Sequence, residues 1–176
     1  VLFQSSNDKI NYTINKNSNI LNFNFSVGVK NNPLFINFLN FKNLENELTK
    51  IDFNGELKKN GDIEFEKIFL KNKKNLIKIE KILLNKNLKI LRFKKAYFNY
   101  FDAEKILNTF SVNNKKNNYF LKGKIFNANN LIETIFEDNQ KNLLPFKNNF
   151  KLNIQFNTVR LDNEFEIDNF NGFLNF

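Results

Sequence analysis

The sequence lacks cysteine, histidine, methionine and tryptophan, and it has only 2 prolines and 5 glycines in 176 residues. Without cysteine or histidine the chain cannot supply a disulfide, a thiol nucleophile, a Ser-His-Asp triad or a common zinc site. No apolar run approaches the roughly 20 residues that a membrane-spanning helix needs. Nucleophile, metal set and phosphate-binding loop are all missing, so we expect a protein that is not an enzyme and uses no cofactor.

The basic charge does not by itself point to nucleic acid. Lysine and arginine number 27 against 18 acidic residues, a net charge of +9, yet arginine occurs only at Arg92 and Arg160. A nucleic-acid surface favours arginine because its planar guanidinium binds phosphate and guanine edges bidentately. The abundant residue types, Lys, Asn, Ile, Phe and Leu, all have A/T-rich codons, and an AT-rich genome explains their excess. We therefore expect no nucleic-acid partner.

Apolar and polar residues alternate along most of the chain. Phenylalanine alone contributes 23 residues, and codon bias cannot place them at every second position. Such alternation predicts β-strands with one apolar and one polar face. We expect strands at 10–14, 21–29, 34–38, 50–58, 62–70, 75–84, 87–93, 96–100, 118–126, 148–161 and 164–175.

Glycine marks particular points in this pattern. Asn60-Gly61 separates the strands at 50–58 and 62–70 and predicts an antiparallel hairpin, because both residue types tolerate positive φ. Three of the five glycines fall in the middle of predicted strands, where glycine permits a bulge or a close approach of another group. These are Gly55, Gly123 and Gly172.

Two segments break the alternation and favour short helices. In 102–110, Asp102 can act as the N-cap, and in 127–136, Asn127 can do so. Acidic residues also recur on the polar half of two strands, but their spacing is that of the alternation itself, and we interpret them as a solvated face rather than a metal or catalytic site. They are Asp62, Glu64, Glu66, Asp162, Glu164, Glu166 and Asp168.

The apolar face of such a sheet must be covered. A second sheet, helices, closure into a barrel or a ligand can cover it, and two short helices cover little. A phenylalanine-rich face is usually the core of a sandwich or barrel. A sheet that stays open would instead form a long groove for acyl chains, whose burial is non-directional and worth about 0.8 kcal/mol per methylene. The residues alone do not distinguish a closed sandwich or barrel from an open groove.

The later part of the chain resembles a known family. A glycine-containing strand, Tyr119-Phe120-Leu121-Lys122-Gly123-Lys124-Ile125, precedes a short predicted helix and a polar spacer. Further strands come next and end in Phe170-Asn171-Gly172-Phe173-Leu174. This order is similar to that of the AsmA-like proteins, and within them of the YhdP-type members.

The resemblance implies a fold and a function. The fold is mainly β, a curved and largely antiparallel sheet that forms an elongated, taco-like groove with two short helices. Residues 1–176 would be a single β-groove domain, an internal or C-terminal fragment of a longer chain. The implied function is phospholipid transport across the periplasm of the cell envelope, with an inner-membrane anchor in a segment outside this chain and no catalytic residues.

The residues expected to bind lipid are the apolar half of the alternation. Which sheet face they occupy depends on register, since a slip of one residue inverts a strand. The candidates are Phe23, Phe25, Val27, Ile51, Phe53, Leu57, Ile63, Phe65, Ile77, Ile79, Leu121, Ile125, Leu152, Ile154 and Phe156.

Overall fold

The computed structural model describes residues 8–18, 20–43, 47–116, 118–130, 151–162 and 164–175. Within these ranges the chain forms thirteen strands and one turn of 3-10 helix, Asn37–Leu39. The strands are β1 (Lys9–Asn17), β2 (Ile20–Val29), β3 (Phe35–Ile36), β4 (Phe41–Lys42), β5 (Thr49–Leu57), β6 (Ile63–Lys71), β7 (Leu76–Leu84), β8 (Ile90–Arg92), β9 (Lys95–Phe101), β10 (Leu107–Lys115), β11 (Asn118–Asn127), β12 (Lys151–Arg160) and β13 (Glu166–Asn175). The prediction of a mainly β protein is confirmed.

Eleven of these strands make one sheet. Its order is β1-β2-β5-β6-β7-β9-β10-β11-β12-β13, with β8 paired to β7, while β3 and β4 form a separate two-stranded sheet. Neighbouring strands run antiparallel except for β11 and β12, which are parallel. Among the described strands the large sheet is not closed into a barrel, and β1 and β13 are its two edges. The prediction of a large, mostly antiparallel sheet is confirmed.

The hairpin at Asn60-Gly61 is confirmed, with β5 and β6 paired antiparallel. The Lys58 N–H donates to the Asp62 carbonyl at 2.9 Å, and the Gly61 N–H donates to the Lys58 carbonyl at 2.9 Å. Gly61 has φ of 85° and supplies the left-handed residue that closes the turn. A short local signal was therefore sufficient to fix this pairing.

The helix predicted at 102–110 is wrong, because a tight turn at this point leads into strand β10. Asp102 Oδ1 accepts hydrogen bonds from the backbone N–H groups of Glu104, at 3.0 Å, and Ile106, at 2.9 Å. Lys105 takes φ of 65°, and the Asp102 N–H donates to the Ile106 carbonyl, which reverses the chain. The same side-chain chemistry caps a helix or closes a turn, so the aspartate alone did not distinguish them.

The helix predicted at 127–136 is not confirmed either. Asn127, its predicted N-cap, is the last residue of β11. Its Oδ1 does accept a hydrogen bond from the Asn129 N–H at 3.2 Å. Residues 129 and 130 are helical, and residues 131–136 lie outside the described residues.

Bulges adjust the alternation so that apolar residues stay on one face. The register between β5 and β6 shifts at Asn54/Gly55, which leaves Glu66 as an extra residue. Phe65 and Ile68 therefore share a face although they are three positions apart, and Ile82 and Ile79 on β7 match them. A second shift lies between β10 and β11 at Thr109/Phe110, opposite Gly123. Bulges of this kind are structural features that re-aim side chains.

The glycines at the two bulges are required by close contacts. A Cβ on Gly55 would lie 2.2 Å from the Glu64 carbonyl oxygen, and a Cβ on Gly123 would lie 2.4 Å from a ring carbon of Phe156. Gly172 differs, since its nearest neighbour would be the Phe170 ring at 3.5 Å, an ordinary contact. The expectation of a special role is thus met at Gly55 and Gly123.

Replacing Gly123 with alanine should destabilise the protein by about 1–3 kcal/mol, the usual cost of overpacking. The new methyl group would also lie 2.6 Å from Phe110 Cβ and 2.6 Å from the Thr109 carbonyl oxygen. Gly172→Ala is the matched control and should leave stability unchanged or raise it by up to about 1 kcal/mol. Urea denaturation of both variants measures the difference, and equal midpoints would contradict the bulge assignment.

Candidate functional site: an apolar sheet face

Strand register places the predicted lipid-binding residues on one face of the sheet, with one exception. Residues paired across neighbouring strands share a face. Phe25 pairs with Phe53, Val27 with Ile51, and Ile51 with Leu70 on the next strand. The same pairings continue across the sheet to Leu152, Ile154 and Phe156 on β12.

Ile125 is the exception, and its placement on that face was wrong. It pairs with Thr109, which in turn pairs with Asn99, and these residues lie on the polar face. The bulge beside Gly123 turns Ile125 away and brings Phe126 to the apolar face, where its ring stacks on Phe156 at a centroid distance of 5.6 Å. The mid-strand glycine was the available signal for this change of face.

Part of the apolar face is sealed by the protein itself. A buried cluster crosses the middle strands, and two of the predicted lipid-binding residues belong to it: Ile77 is 4% exposed and Phe156 is 2% exposed. Ile51, Ile79, Leu121 and Ile154 pack against the cluster and are partly buried. These positions serve the fold's own core.

A connection between β2 and β5 lies over this sealed part. We call residues 34–43 the cover segment; it contains the 3-10 turn and both strands of the small sheet. Leu39 and Phe41 of the cover segment are buried in the core cluster, and the Phe41 ring meets Tyr100 edge-on at 6.0 Å. The Ala103 N–H also donates to the Asn40 carbonyl at 2.7 Å.

Tyr100 joins the cover segment to the sheet. Its hydroxyl donates to the Leu39 carbonyl at 2.9 Å, and its side chain is only 1% exposed. Burial, with the Asp102 carboxylate as a second cause, raises the pKa of this phenol above its ordinary value. The hydroxyl therefore keeps its proton and remains a donor.

Among the described residues, a second part of the same face lies outside the core cluster and is partly exposed. We call Tyr12, Phe23, Phe25, Phe53 and Phe65 the aromatic stripe. Tyr12 stacks on Phe25 at 5.7 Å, Phe25 stacks on Phe53 at 5.0 Å, and Phe65 meets Phe23 at 5.5 Å. The four phenylalanines are half-buried, Tyr12 is 66% exposed, and none of the five belongs to the core cluster.

The aromatic stripe continues to the edge of the sheet and ends near a positive charge. Ile10 and Ile14 of β1 flank Tyr12 on this face and are 54% and 47% exposed. At one end of the stripe Lys16 pairs with Leu21, which places an exposed ammonium group on the apolar face. Leu57 pairs with Leu21 in the same row.

Among the described residues, the opposite, polar face carries ion pairs. Lys58 Nζ lies 3.5 Å from a Glu56 oxygen and also donates to Glu64. This hydrogen bond lowers the pKa of the Glu64 carboxyl below its usual value, although burial acts in the other direction. The side chains are about one-third exposed, so such pairs contribute little to stability. A cavity of about 580 Å³ on this face is lined by Asn22, Asn24, Asn54 and neighbouring residues.

Among the described residues, no group of three or more acidic side chains could hold a metal ion. Within the same part of the chain, no helix is long and apolar enough to cross a membrane.

Comparison with known proteins gives no match: no family model, curated protein or solved structure is similar to this chain. The resemblance to the AsmA-like proteins therefore stays a prediction.

Several residues of the apolar face were missing from the sequence prediction. Ile68, Leu70 and Ile82 were displaced by the bulges, and Phe110 was assigned to the helix that is instead β10. Tyr12 was visible in the alternation of β1 and was assigned to a strand without being included in the site. Gly55, at the register shift between β5 and β6, was a local signal for the displacement of Ile68 and Leu70.

Tyr100→Phe should destabilise the protein by about 1–3 kcal/mol, because the Leu39 carbonyl would lose its buried partner. Hydrogen exchange should rise selectively in the cover segment. Tyr97→Phe is the matched control on the polar face and should change stability by less than about 0.5 kcal/mol. If hydrogen exchange in the cover segment were the same in the Tyr100→Phe and Tyr97→Phe variants, Tyr100 would not anchor the cover segment.

Proposed function

We propose that this chain is a groove segment that binds the acyl chains of phospholipid, as part of a periplasmic protein that carries lipid between membranes. The observation that carries the proposal is the aromatic stripe, a row of four half-buried rings and one exposed ring on a sheet that is not closed. The described residues of the cover segment reach Tyr100 and the core cluster, whereas the four phenylalanines remain partly exposed. Exposed contiguous apolar surface usually marks a binding site.

The chemistry of the aromatic stripe fits an acyl chain. The stripe crosses β1, β2, β5 and β6, so three strand spacings of about 4.8 Å give it a width of about 14 Å. Its members are hydrocarbon rings apart from the Tyr12 hydroxyl, and they offer no set of convergent polar groups for a polar ligand. Each buried methylene contributes about 0.8 kcal/mol without a preferred direction, which allows a chain to slide.

Lys16 supplies a group for the other end of a phospholipid. Its ammonium lies on the apolar face at the end of the aromatic stripe, beside Leu21. A lysine binds phosphate as a point charge. An acyl chain along the rings and a phosphate near Lys16 would together select a phospholipid over a plain hydrocarbon.

The location is a further part of the proposal. The periplasm, and the inner-membrane anchor in a segment outside this chain, rest on the resemblance to the AsmA-like proteins. An open rather than closed sheet is compatible with a groove.

A closed structural or binding module is the second candidate. It is favoured by the core cluster, where Ile77 and Phe156 are covered by the chain itself. In that case the aromatic stripe would hold no lipid. The two candidates differ in one measurable property, the presence of bound phospholipid.

Phe53→Glu should abolish phospholipid binding, because it places a carboxylate in the middle of the aromatic stripe. Phe173→Glu is the matched control, since Phe173 pairs with Asn153 on the polar face and is 65% exposed. Native mass spectrometry of the purified proteins, after incubation with phosphatidylglycerol vesicles, would count bound lipids. Circular dichroism would check that both variants keep the β fold.

The expected result is lipid bound to the unsubstituted protein and to Phe173→Glu, and none bound to Phe53→Glu. A lipid-free unsubstituted protein would support the closed module. Equal lipid binding by the two variants would exclude the aromatic stripe as the binding surface.

A further inference from the structure

The two edges of the sheet differ in how well they are protected. Free edges attract other strands because their outer N–H and C=O groups are unpaired, and proteins usually block them with charges, prolines or bulges. All nine residues of β1 are exposed, its register with β2 is unbroken, and it contains no proline or glycine. Its only charged residues are Lys9 and Lys16, near its two ends.

The edge strand β13 is blocked in several ways. Asn169 has a left-handed backbone with φ of 54°, and it is skipped in the pairing with β12. Glu166 and Asp168 add negative charge, but Arg160 already binds Glu166 through Nε at 2.7 Å, and Thr158 donates to Asp168 at 3.0 Å. The irregular backbone at Asn169 and the carboxylates beside it interrupt the edge of β13, whereas β1 is regular, so β1 is the more open of the two edges.

We propose that β1 pairs antiparallel with β1 of a second copy of this chain, forming a twofold dimer with one continuous sheet. The favoured register places the axis at Tyr12. Apolar residues then face apolar residues, and neither Lys9 nor Lys16 faces a lysine of the other copy. The facing residues are Tyr12 with Tyr12, Asn11 with Thr13, Ile10 with Ile14, and Lys9 with Asn15.

This arrangement is self-complementary, as a twofold contact requires. The axis is perpendicular to the sheet, so the apolar faces of both copies point to the same side. The exposed Ile10, Tyr12 and Ile14 of each copy then lie beside those of its partner, and two aromatic stripes meet. The pairing uses backbone groups and does not depend on lipid binding.

The register predicts opposite outcomes for two matched double variants on the polar face. With Asn11→Lys and Thr13→Lys, lysines of the two copies face each other at both positions, and the dimer should dissociate. With Asn11→Lys and Thr13→Glu, each lysine faces a glutamate of the partner, and the dimer should persist. Both pairs of changes leave the aromatic stripe intact, so dimerisation and lipid binding can fail separately.

Analytical ultracentrifugation of the lipid-free protein over a concentration series measures the result. The unsubstituted protein and the Lys/Glu variant should form dimers, and the Lys/Lys variant should be monomeric. Asn171→Lys with Phe173→Lys, on the polar face of β13, is the edge control and should remain dimeric. A monomeric unsubstituted protein, larger polymers, dimers in the Lys/Lys variant or loss of the dimer in the β13 control would each overturn the proposal.

Discussion

The constraint on which this structure depends is the register of its strand ladder. Every strand must present its apolar residues to the same side, and a single extra residue would invert the remainder of a strand. The bulge residue Glu66 on β6 faces Lys81 on β7, which has φ of 52°, so both strands change phase together. Asn157 on β12 and Asn169 on β13 are skipped together in the same manner. Matching irregularities on neighbouring strands therefore preserve one continuous apolar face.

Sequence alone predicted the sheet because its signals are local. Alternation identified most strands, and Asn60-Gly61 fixed one hairpin. The sequence-based prediction failed at 102–110, because an aspartate that accepts hydrogen bonds from backbone N–H groups can start a helix or close a turn. Contacts of the side chain with residues far away in the sequence decide between the two. Here Asp102 Oδ2 also accepts from Asn108 and Asn127 at 3.0 and 2.9 Å, contacts that require β10 and β11 to be in place. The outcome was decided by tertiary structure.

The candidate site was predictable to a similar extent. Fourteen of the fifteen proposed residues share a face by register, and Ile125 does not. Sequence could not divide that face into a sealed and an open part, because the division depends on where the cover segment folds back. Tyr100 and Leu39 are 61 positions apart, and no local pattern relates them. The hydrogen bond between them is one of the contacts that hold the cover segment over the sealed part of the face.

The exposed apolar face and the exposed edge of the sheet present different chemical groups. The aromatic stripe exposes hydrocarbon, which an acyl chain can cover but which hydrogen bonding does not satisfy. The outer edge of β1 exposes N–H and C=O groups, which another strand can pair but which an acyl chain cannot. Adding strands at the edge extends the sheet in its own plane and leaves the rings of Phe25 and Phe53 uncovered. Lipid and a second copy would therefore occupy separate surfaces, and joining two sheets at β1 would lengthen the apolar path rather than block it.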